Sequence, residues 1–565
     1  MDFTSKTVLG LFDASQKVFT IPVYQRAYSW ETEHWTAFYN DLKDQILSKN
    51  KYFIGNILLE TIKKDQHYEV IDGQQRLTTI VLFIHCVLFI MTERQLKPKT
   101  GTIASKNRIY INNDGVIKLH PVEYDRPFFN QLIDGRSGPL KAKTPSQKRM
   151  KEAITFFSNQ LKKEKEEIIV AILAKLEETE ITTIELDGKK ESALMFELQN
   201  NRGKDLTNME KLKSFFMYQI YCLSTQKETD DNVSSLSTLF EQIYLTINDL
   251  KETNEDNVLI YHCQAYINGF SYRNLNDIKD VYKKHKNIKW IMNFVSELHS
   301  SFQAMKKLEH CKDYYWVQIQ RMNKETPSFV FPFIIKGYKY LSDDTDAMKT
   351  LFHLLENLSF RYLLINSRAD FRSRLNEILN NLDENTVIED FINKSKTKIN
   401  DSEYWTDSRI KEYLELPIYG KGVVNYLLWR YEESLQKKGY SINNINISNE
   451  SIEHISPQTP TDGEPLASGY EINSSGSYPE DYDQYLHSIG NLVLASQSHN
   501  SSLGNHKFSE KLKSFSENPT VIQQIEIKNF ISKKGTKPLW DKLAIDRRKE
   551  KIVEFSIQNW DMEKI

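Results

Sequence analysis

Three short stretches near the end of this 565-residue chain carry the residue types that phosphodiester hydrolysis needs. Ser451-Ile-Glu-His-Ile-Ser-Pro457 sets an acid beside a histidine on a short strand that Pro457 ends. In His487-Ser-Ile-Gly-Asn-Leu-Val-Leu494 the second half reads as another strand. Ser498-His-Asn-Ser-Ser-Leu-Gly-Asn-His-Lys-Phe508 then leads into a helix expected to run through Lys513. Hydrolysis of such an ester needs a base to activate water and a cation to stabilise charge on the phosphate and leaving oxygen. A neutral imidazole suits the first task. A carboxylate with an amide oxygen suits a hard ion such as Mg²⁺. His454 is therefore the candidate base, with Glu453 and Asn500 as metal ligands. Adjacent residues of a regular strand point to opposite faces, so Glu453 and His454 can share one ion only where the backbone bends at a strand end. His487, His499 and His506 read as exposed polar residues.

A second constellation lies near the start. Tyr68-Glu-Val-Ile-Asp-Gly-Gln-Gln-Arg-Leu-Thr-Thr79 reads as a strand, a tight turn at Asp72-Gly73, and a helix opening at Gln74 and Gln75. Free N–H groups at a helix N-terminus attract anions, and a nearby Arg76 strengthens that pull. Asp72 is placed to hold a cation or orient a water. Phe196-Glu-Leu-Gln-Asn-Asn-Arg-Gly-Lys-Asp-Leu206 offers Asn200, Arg202 and Lys204 on a backbone that Gly203 lets a ligand approach closely. On spacing alone, a helix end with a solvated basic turn explains that string equally well. Tyr24, Gln25, Arg26, Tyr28 and Trp30 form an aromatic, amide-rich cluster that suits stacking on a DNA base or its modification. A partly buried edge strand with Tyr and Trp in the core accounts for the same residues.

Taken together, the strings are similar to known families. Ile-Glu-His-Ile-Ser-Pro-Gln, Gly-Asn-Leu-Val-Leu, and His-Asn-Ser-Ser-Leu-Gly-Asn before a Lys-containing helix resemble the HNH nucleases. They are closest to the C-terminal domain of GmrSD-type restriction enzymes, domain of unknown function 1524. That resemblance implies a ββα-metal fold, His454 as base, Glu453 and Asn500 as ligands of Mg²⁺ or Mn²⁺, and Asn491 as a brace for the base. Glu453 stands where Asp or His is commoner. The resemblance begins near Tyr419-Gly-Lys421, passes through Trp429 and Glu432, and ends with Trp540, Arg547 and Trp560. Ile21-Pro-Val-Tyr-Gln-Arg-Ala-Tyr-Ser-Trp30, Tyr52-Phe-Ile-Gly-Asn56 and Asp-Gly-Gln-Gln-Arg76 resemble the GmrS-like family, domain of unknown function 262, over about residues 5 to 220. This implies a ParB/sulfiredoxin-like fold binding and hydrolysing a nucleoside triphosphate. Asp72, Gly73, Gln74, Gln75 and Arg76 would line the site, Asp72 and Arg76 would act in hydrolysis, and Asn200, Arg202, Gly203 and Lys204 would converge on it. No G-x-x-x-x-G-K-[ST] loop is present, so a P-loop ATPase domain is not the explanation.

The elements that must position these groups define an α+β, multidomain chain. Residues 1–220 are expected to be an α/β sensor domain, 221–410 a helical scaffold, and 411–565 a nuclease domain embedded in helices. Val18 to Tyr24 reads as a strand. Trp35, Phe38, Tyr39, Leu42 and Ile46 follow at helical spacing, with Ser29 as N-cap. Tyr52–Glu60 and His67–Ile71 read as strands around a polar turn, before a long apolar helix. From about 145 to 440 the pattern is mainly helical. Thr459 to Asp481 is Gly-, Ser- and Pro-rich and reads as a surface loop between the two halves of the C-terminal constellation.

Composition is that of an ordinary globular protein. A formal net charge of -2 excludes a polycation that coats nucleic acid, though not a local basic surface. The cysteines at 86, 222, 263 and 311 lack zinc-ligand spacing and read as free thiols. No signal-peptide pattern opens the chain, and the most apolar run, Ile80 to Met91, suits a buried helix better than a membrane span. The expected protein is cytoplasmic, engages no membrane, acts on phage DNA that carries modifications, and takes an NTP; a homo-oligomer is compatible with all of this. Two rivals remain: a nucleotide-dependent DNA-binding regulator with a vestigial HNH domain, and a modification-independent abortive-infection nuclease.

Overall fold

A computed structural model describes residues 2–13, 17–22, 25, 27–47, 52–134, 140–186, 207–225, 228–322, 327–366, 371–401, 404–436, 450–458 and 482–565. The chain forms two compact units, Met1–Ile260 with Arg273–Glu309, and Tyr261–Tyr272 with His310–Ile565. Every described element from Asn208 to Leu435 is helical, and these helices are divided between the two units.

The first unit is built on a six-stranded mixed sheet. Its strands are β1 (Asp2–Thr7), β2 (Val18–Thr20), β3 (Phe53–Lys63), β4 (His67–Asp72), β5 (Leu119–His120) and β6 (Glu180–Leu186), in the spatial order β1-β6-β3-β4-β2-β5. β6 runs antiparallel to β1 and parallel to β3, β3 and β4 are antiparallel, and β2 is parallel to both β4 and β5. Three of these strands depart from the sequence reading. β6 lies inside the stretch expected to be helical, and β1 and β5 were not expected at all. Ile181, Thr183, Ile184 and Leu186 are buried, and the β-branched residues of Glu-Ile-Thr-Thr-Ile-Glu-Leu suit a pleated surface covered on both sides.

Three helices build the core beside this sheet: α1 (Thr32–Asp44), α2 (Gln74–Glu93) and α3 (Pro145–Lys163). α2 is apolar around most of its circumference, which a helix can sustain only when neighbours cover it. It is long and apolar enough to cross a membrane by length and composition, yet 78% of that apolar window is buried inside the protein. Phe83 meets Phe38 of α1 and Phe157 of α3 edge to face, with centroids 5.4 and 5.1 Å away. α1 starts later than the sequence reading placed it. Its N-cap is Glu31, because the Ser29 N–H is taken by Gln75 Oε1 at 2.7 Å and the chain there stays outside the helix.

The second unit carries an antiparallel hairpin of β7 (Glu450–His454) and β8 (Leu492–Ser496). Around it lie α4 (Val423–Leu435), α5 (Gln497–Leu503), α6 (Phe508–Glu517) and α7 (Lys542–Asn559). The two faces of β8 enter different apolar clusters. Leu492 and Leu494 pack with Phe360, Tyr426 and Trp560, whereas Val493 packs with Phe508, Phe515 and Trp540. The single helix expected after β8 is two helices, α5 and α6. The break follows Leu503, where Gly504 takes a positive φ of 42°.

Candidate functional site

His454 is the last residue of β7 and sits opposite Leu492. Cross-strand partners share a face, so its imidazole emerges on the Leu492 side of the hairpin. Only 4% of it is exposed. The ring packs edge-on to Tyr419 at 4.3 Å, and Tyr419 in turn stacks on His487. His454 Nε2 lies 3.3 Å from His487 Nδ1, and Gln458 Nε2 lies 2.9 Å from His454 Nδ1. The His487 carbonyl accepts the N–H groups of Ile418 and Tyr419, which ties the Tyr419 turn to this cluster. Burial first, then the neighbouring His487 and Lys511, push the His454 imidazole down to about 3. The ring is thereby held neutral, and the same burial weakens its affinity for a proton.

Asn491 is fully buried and holds the chain that follows His454. Its Oδ1 accepts the Ser456 N–H at 2.8 Å and the Trp540 indole N–H at 2.9 Å. Its Nδ2 donates to the carbonyls of Leu486 at 2.8 Å and Ser456 at 3.2 Å. The brace therefore acts on the backbone beyond His454 and makes no direct bond to the imidazole. α7 locks this strand end from outside. A side chain on Gly490 would put Cβ 2.2 Å from the Ile545 carbonyl oxygen, and Arg548 NH1 donates to the carbonyls of Ile489, Gly490 and Leu492.

Glu453 sits opposite Val493 and leaves β7 on the other face. Its carboxylate is ion-paired with Lys511 of α6, whose Nζ also donates to the His454 carbonyl at 2.9 Å. Burial raises the carboxyl above its ordinary range, and Lys511 opposes that shift. Asn500 of α5 donates to Ser451 Oγ and, at 3.5 Å, to the Ile452 carbonyl. Asn500 thus contacts the strand that carries Glu453, while the Glu453 and His454 side chains diverge.

In the first unit, Asp72 ends β4, Gly73 turns the chain at φ +89°, and Gln74 opens α2. Asp72 Oδ1 accepts the Gly73 N–H at 2.8 Å. Arg76 NH1 donates to the Asn56 carbonyl at 2.7 Å, which lays the guanidinium against the backbone of β3. Gly55 makes room for it: a Cβ there would lie 2.9 Å from Arg76 Cζ. Burial lowers the Arg76 guanidinium's proton affinity and the Asp72 charge opposes that. Asp72, Gly73 and Arg76 therefore converge. The glutamines do other work. Gln75 accepts from Ser29 N–H and donates to the Ala27 carbonyl at 3.0 Å, and Gln25 donates to the Ile71 carbonyl at 2.8 Å. Gln74 is buried, with Oε1 lacking a hydrogen bond among the described residues. Trp30 stacks on His34 with centroids 5.7 Å apart. Tyr24, Arg26, Asn200, Arg202, Gly203 and Lys204 lie outside the described residues, as does the expected surface loop from Thr459 to Asp481.

Comparison with family models matches residues 8–217 to the N-terminal domain of the GmrSD restriction endonuclease, and residues 404–555 to the C-terminal domain of GmrSD restriction endonucleases. The two matches together span more than half of the chain. The chain belongs to the GmrSD restriction endonuclease family. Membership makes it a nuclease of phage defence that acts on DNA. A comparison with curated proteins gave no match. The GmrSD C-terminal match contains His454, Asn491 and Asn500, and it also contains partners that the sequence reading passed over. His487 was read as an exposed histidine, and Lys511 and Gln458 were given no role. A signal for Lys511 was available. It falls between Phe508 and Phe515 on an apolar helical face, where a lysine needs a buried counter-charge.

The Mg²⁺ or Mn²⁺ that the HNH resemblance implies does not fit these residues as they stand. The Glu453 carboxylate already carries a cation, the Lys511 ammonium, in a buried contact. Among the described residues no group of three or more His, Cys, Asp or Glu side chains is placed to hold a metal ion.

Proposed function

We propose that the second unit cuts DNA through an HNH-type centre in which His454 is the base, and that the first unit is a ParB-like sensor whose Asp72–Arg76 turn binds an NTP and licenses cleavage of modified phage DNA. The observation that carries this reading is the buried His454 imidazole at a strand end whose following chain Asn491 braces. Once Gln458 releases Nδ1 or His487 releases Nε2, the freed ring nitrogen can take the proton of a water attacking phosphorus and later pass it to solvent. His487, 3.3 Å from Nε2, orients the ring, and the edge of Tyr419 limits its rotation. Glu453, paired with Lys511, and Asn500, bonded to Ser451, do not hold a divalent ion as they stand, so no step of this reading runs through one. The sensor reading is supported by a helix opening directly after the Asp72-Gly73 turn, with the Arg76 guanidinium held beside it.

Cleavage of modified and unmodified DNA, with and without each NTP, tests the proposal in wild type, His454→Ala and Arg76→Ala. Wild type should cut modified DNA in the presence of an NTP. His454→Ala should lose at least about 10²-fold, the usual contribution of a general base, and Arg76→Ala should lose the NTP response. Equal cutting by wild type and His454→Ala would overturn the nuclease assignment and favour a DNA-binding regulator. Equal cutting of modified and unmodified DNA by wild type would instead favour the modification-independent nuclease.

A further inference from the structure

Between Glu526 and Asp541 the chain carries four lysines and no acid, although the whole protein has a formal net charge of -2. The two flanking acids are used inside the fold. Glu526 accepts from the Tyr431 hydroxyl at 2.6 Å and from Lys551 at 2.7 Å. Asp541 accepts from Ser532 Oγ at 2.7 Å and caps α7 through the Ala544 N–H at 3.0 Å. Lys528, Lys533 and Lys537 are exposed and make no ion pair among the described residues. Lys533 and Lys537 belong to a small antiparallel hairpin, β9 (Ser532–Lys534) and β10 (Lys537–Leu539), which turns at Gly535-Thr536. Gly535 has a φ of +65°, and a Cβ there would meet no described atom within 4 Å, so the turn stands clear of the protein. The register sets Lys534 opposite Lys537, and like charges in that relation cost a hairpin stability. So short a ribbon has little stability to spare. A run of lysines there is poorly explained by folding and well explained by an anionic partner.

The base of this hairpin is tied to the His454 strand end. β10 runs straight into Trp540, which is fully buried, stacks on Phe508 with centroids 5.5 Å apart, and donates its indole N–H to Asn491 Oδ1 at 2.9 Å. The same oxygen accepts the N–H of Ser456, two residues after His454. We propose that the hairpin is a grip for the backbone of duplex DNA, with Lys533 and Lys537 set against phosphates of the substrate. The inference rests on the reading of the second unit as the part that cuts. Ammonium groups on phosphates fix position and carry no base pattern, so the grip holds DNA whatever its sequence or modification. Discrimination is left to other contacts.

The test uses the full-length protein with EDTA present, so that binding to a fluorescent DNA duplex is read without cutting, by anisotropy across a salt series. The double variant K533A/K537A should flatten the slope of log affinity against log salt by about 2 and weaken binding in 0.1 M salt at least about tenfold. The loss should be the same for modified and unmodified duplexes. K394A/K411A, which removes two exposed lysines elsewhere in the second unit, should keep the wild-type slope. In wild type, an amine-reactive reagent read by peptide mass spectrometry should label Lys533 and Lys537 in the free protein and spare them once duplex DNA saturates it. This arm needs no variant to fold. A wild-type slope in K533A/K537A, an equal fall in K394A/K411A, or labelling of Lys533 and Lys537 that DNA leaves unchanged would each overturn the grip. A slope change seen with duplex RNA and absent with duplex DNA would overturn DNA as its occupant. None of these readouts involves cutting, so the grip can fail while the reading of the second unit stands. That reading fails separately, when wild type and His454→Ala cut equally.

Discussion

Asn491→Ala separates a brace from a bystander. The Asn491 amide lies in a fully buried position and makes four hydrogen bonds, to Ser456 N–H, the Trp540 indole N–H, and the Leu486 and Ser456 carbonyls. Alanine removes all four and takes from the buried Ser456 N–H the acceptor it has in wild type. An unmatched buried polar group costs about 1–3 kcal/mol. The carbonyls, with two lone pairs each, suffer less than the donors. The loss is therefore about 3–5 kcal/mol, summed over the four bonds. In a unit of this size each kcal/mol lowers Tm by roughly 2–4 °C, so a fall of about 10 °C is expected by calorimetry. Cleavage should then be measured well below the variant's own Tm, where the protein is folded. The Ser456 backbone is two residues beyond His454, so freeing it should lower cutting at least about tenfold per folded molecule, a misplacement effect. A Tm change under about 2 °C would refute the hydrogen-bond argument. Folded Asn491→Ala that cuts as fast as wild type would refute the positioning argument.

Three further outcomes follow from the first unit and the helical region. Gly55→Ala should weaken NTP binding as measured by fluorescent-nucleotide titration, because its φ of +115° disfavours a side chain and its Cβ would strike Arg76 Cζ; unchanged affinity would detach Arg76 from the nucleotide. Gln75→Leu should cost about 2 kcal/mol through the lost bonds to Ser29 and Ala27, and limited proteolysis should cut near residues 27–30 sooner; an unchanged digest would count against that clamp. His262 is fully buried, and burial pushes its imidazole from 6.5 to about 3. The unfolded chain takes up that proton first, so stability present above about pH 6.5 is lost as pH falls towards 3. Between pH 7 and 5 the loss is about 2 kcal/mol, and urea titrations of His262→Phe should lack that part of the acid sensitivity.

The fold was legible where one physical signal dominated. The apolar girth of α2 and the spacing of Trp35, Phe38, Tyr39 and Leu42 gave helices that the structure contains. β6 was missed because Thr179 alone separates it from the helix Glu166–Glu178, with no Gly or Pro to mark the change of period. β1 was missed for the opposite reason: Asp-Phe-Thr-Ser-Lys-Thr is polar, and only its register against β6 makes it a strand. The start of α1 failed on a long-range bond. Ser29 has the chemistry of a cap, yet Gln75, far along the chain, holds its N–H.

The site divides in the same way. The order of strand, strand and helix, with His454 and Asn500 along it, can be read from residue types, whereas Asn491 came in only through the family resemblance. Their partners cannot, because Tyr419, His487 and Lys511 reach them across long separations of chain. One long-range property was nevertheless fixed by a local rule. Strand geometry alone requires Glu453 and His454 to diverge, and the register pairs them with Val493 and Leu492, which enter different apolar clusters. This arrangement keeps the His454 imidazole among Tyr419 and His487 and the Glu453 carboxylate with Lys511 on α6. The only atoms of β7 shown serving both are in the main chain, where the His454 carbonyl accepts from the lysine bound to Glu453. Any shift of the Glu453–Lys511 pair is therefore passed directly to the backbone of His454.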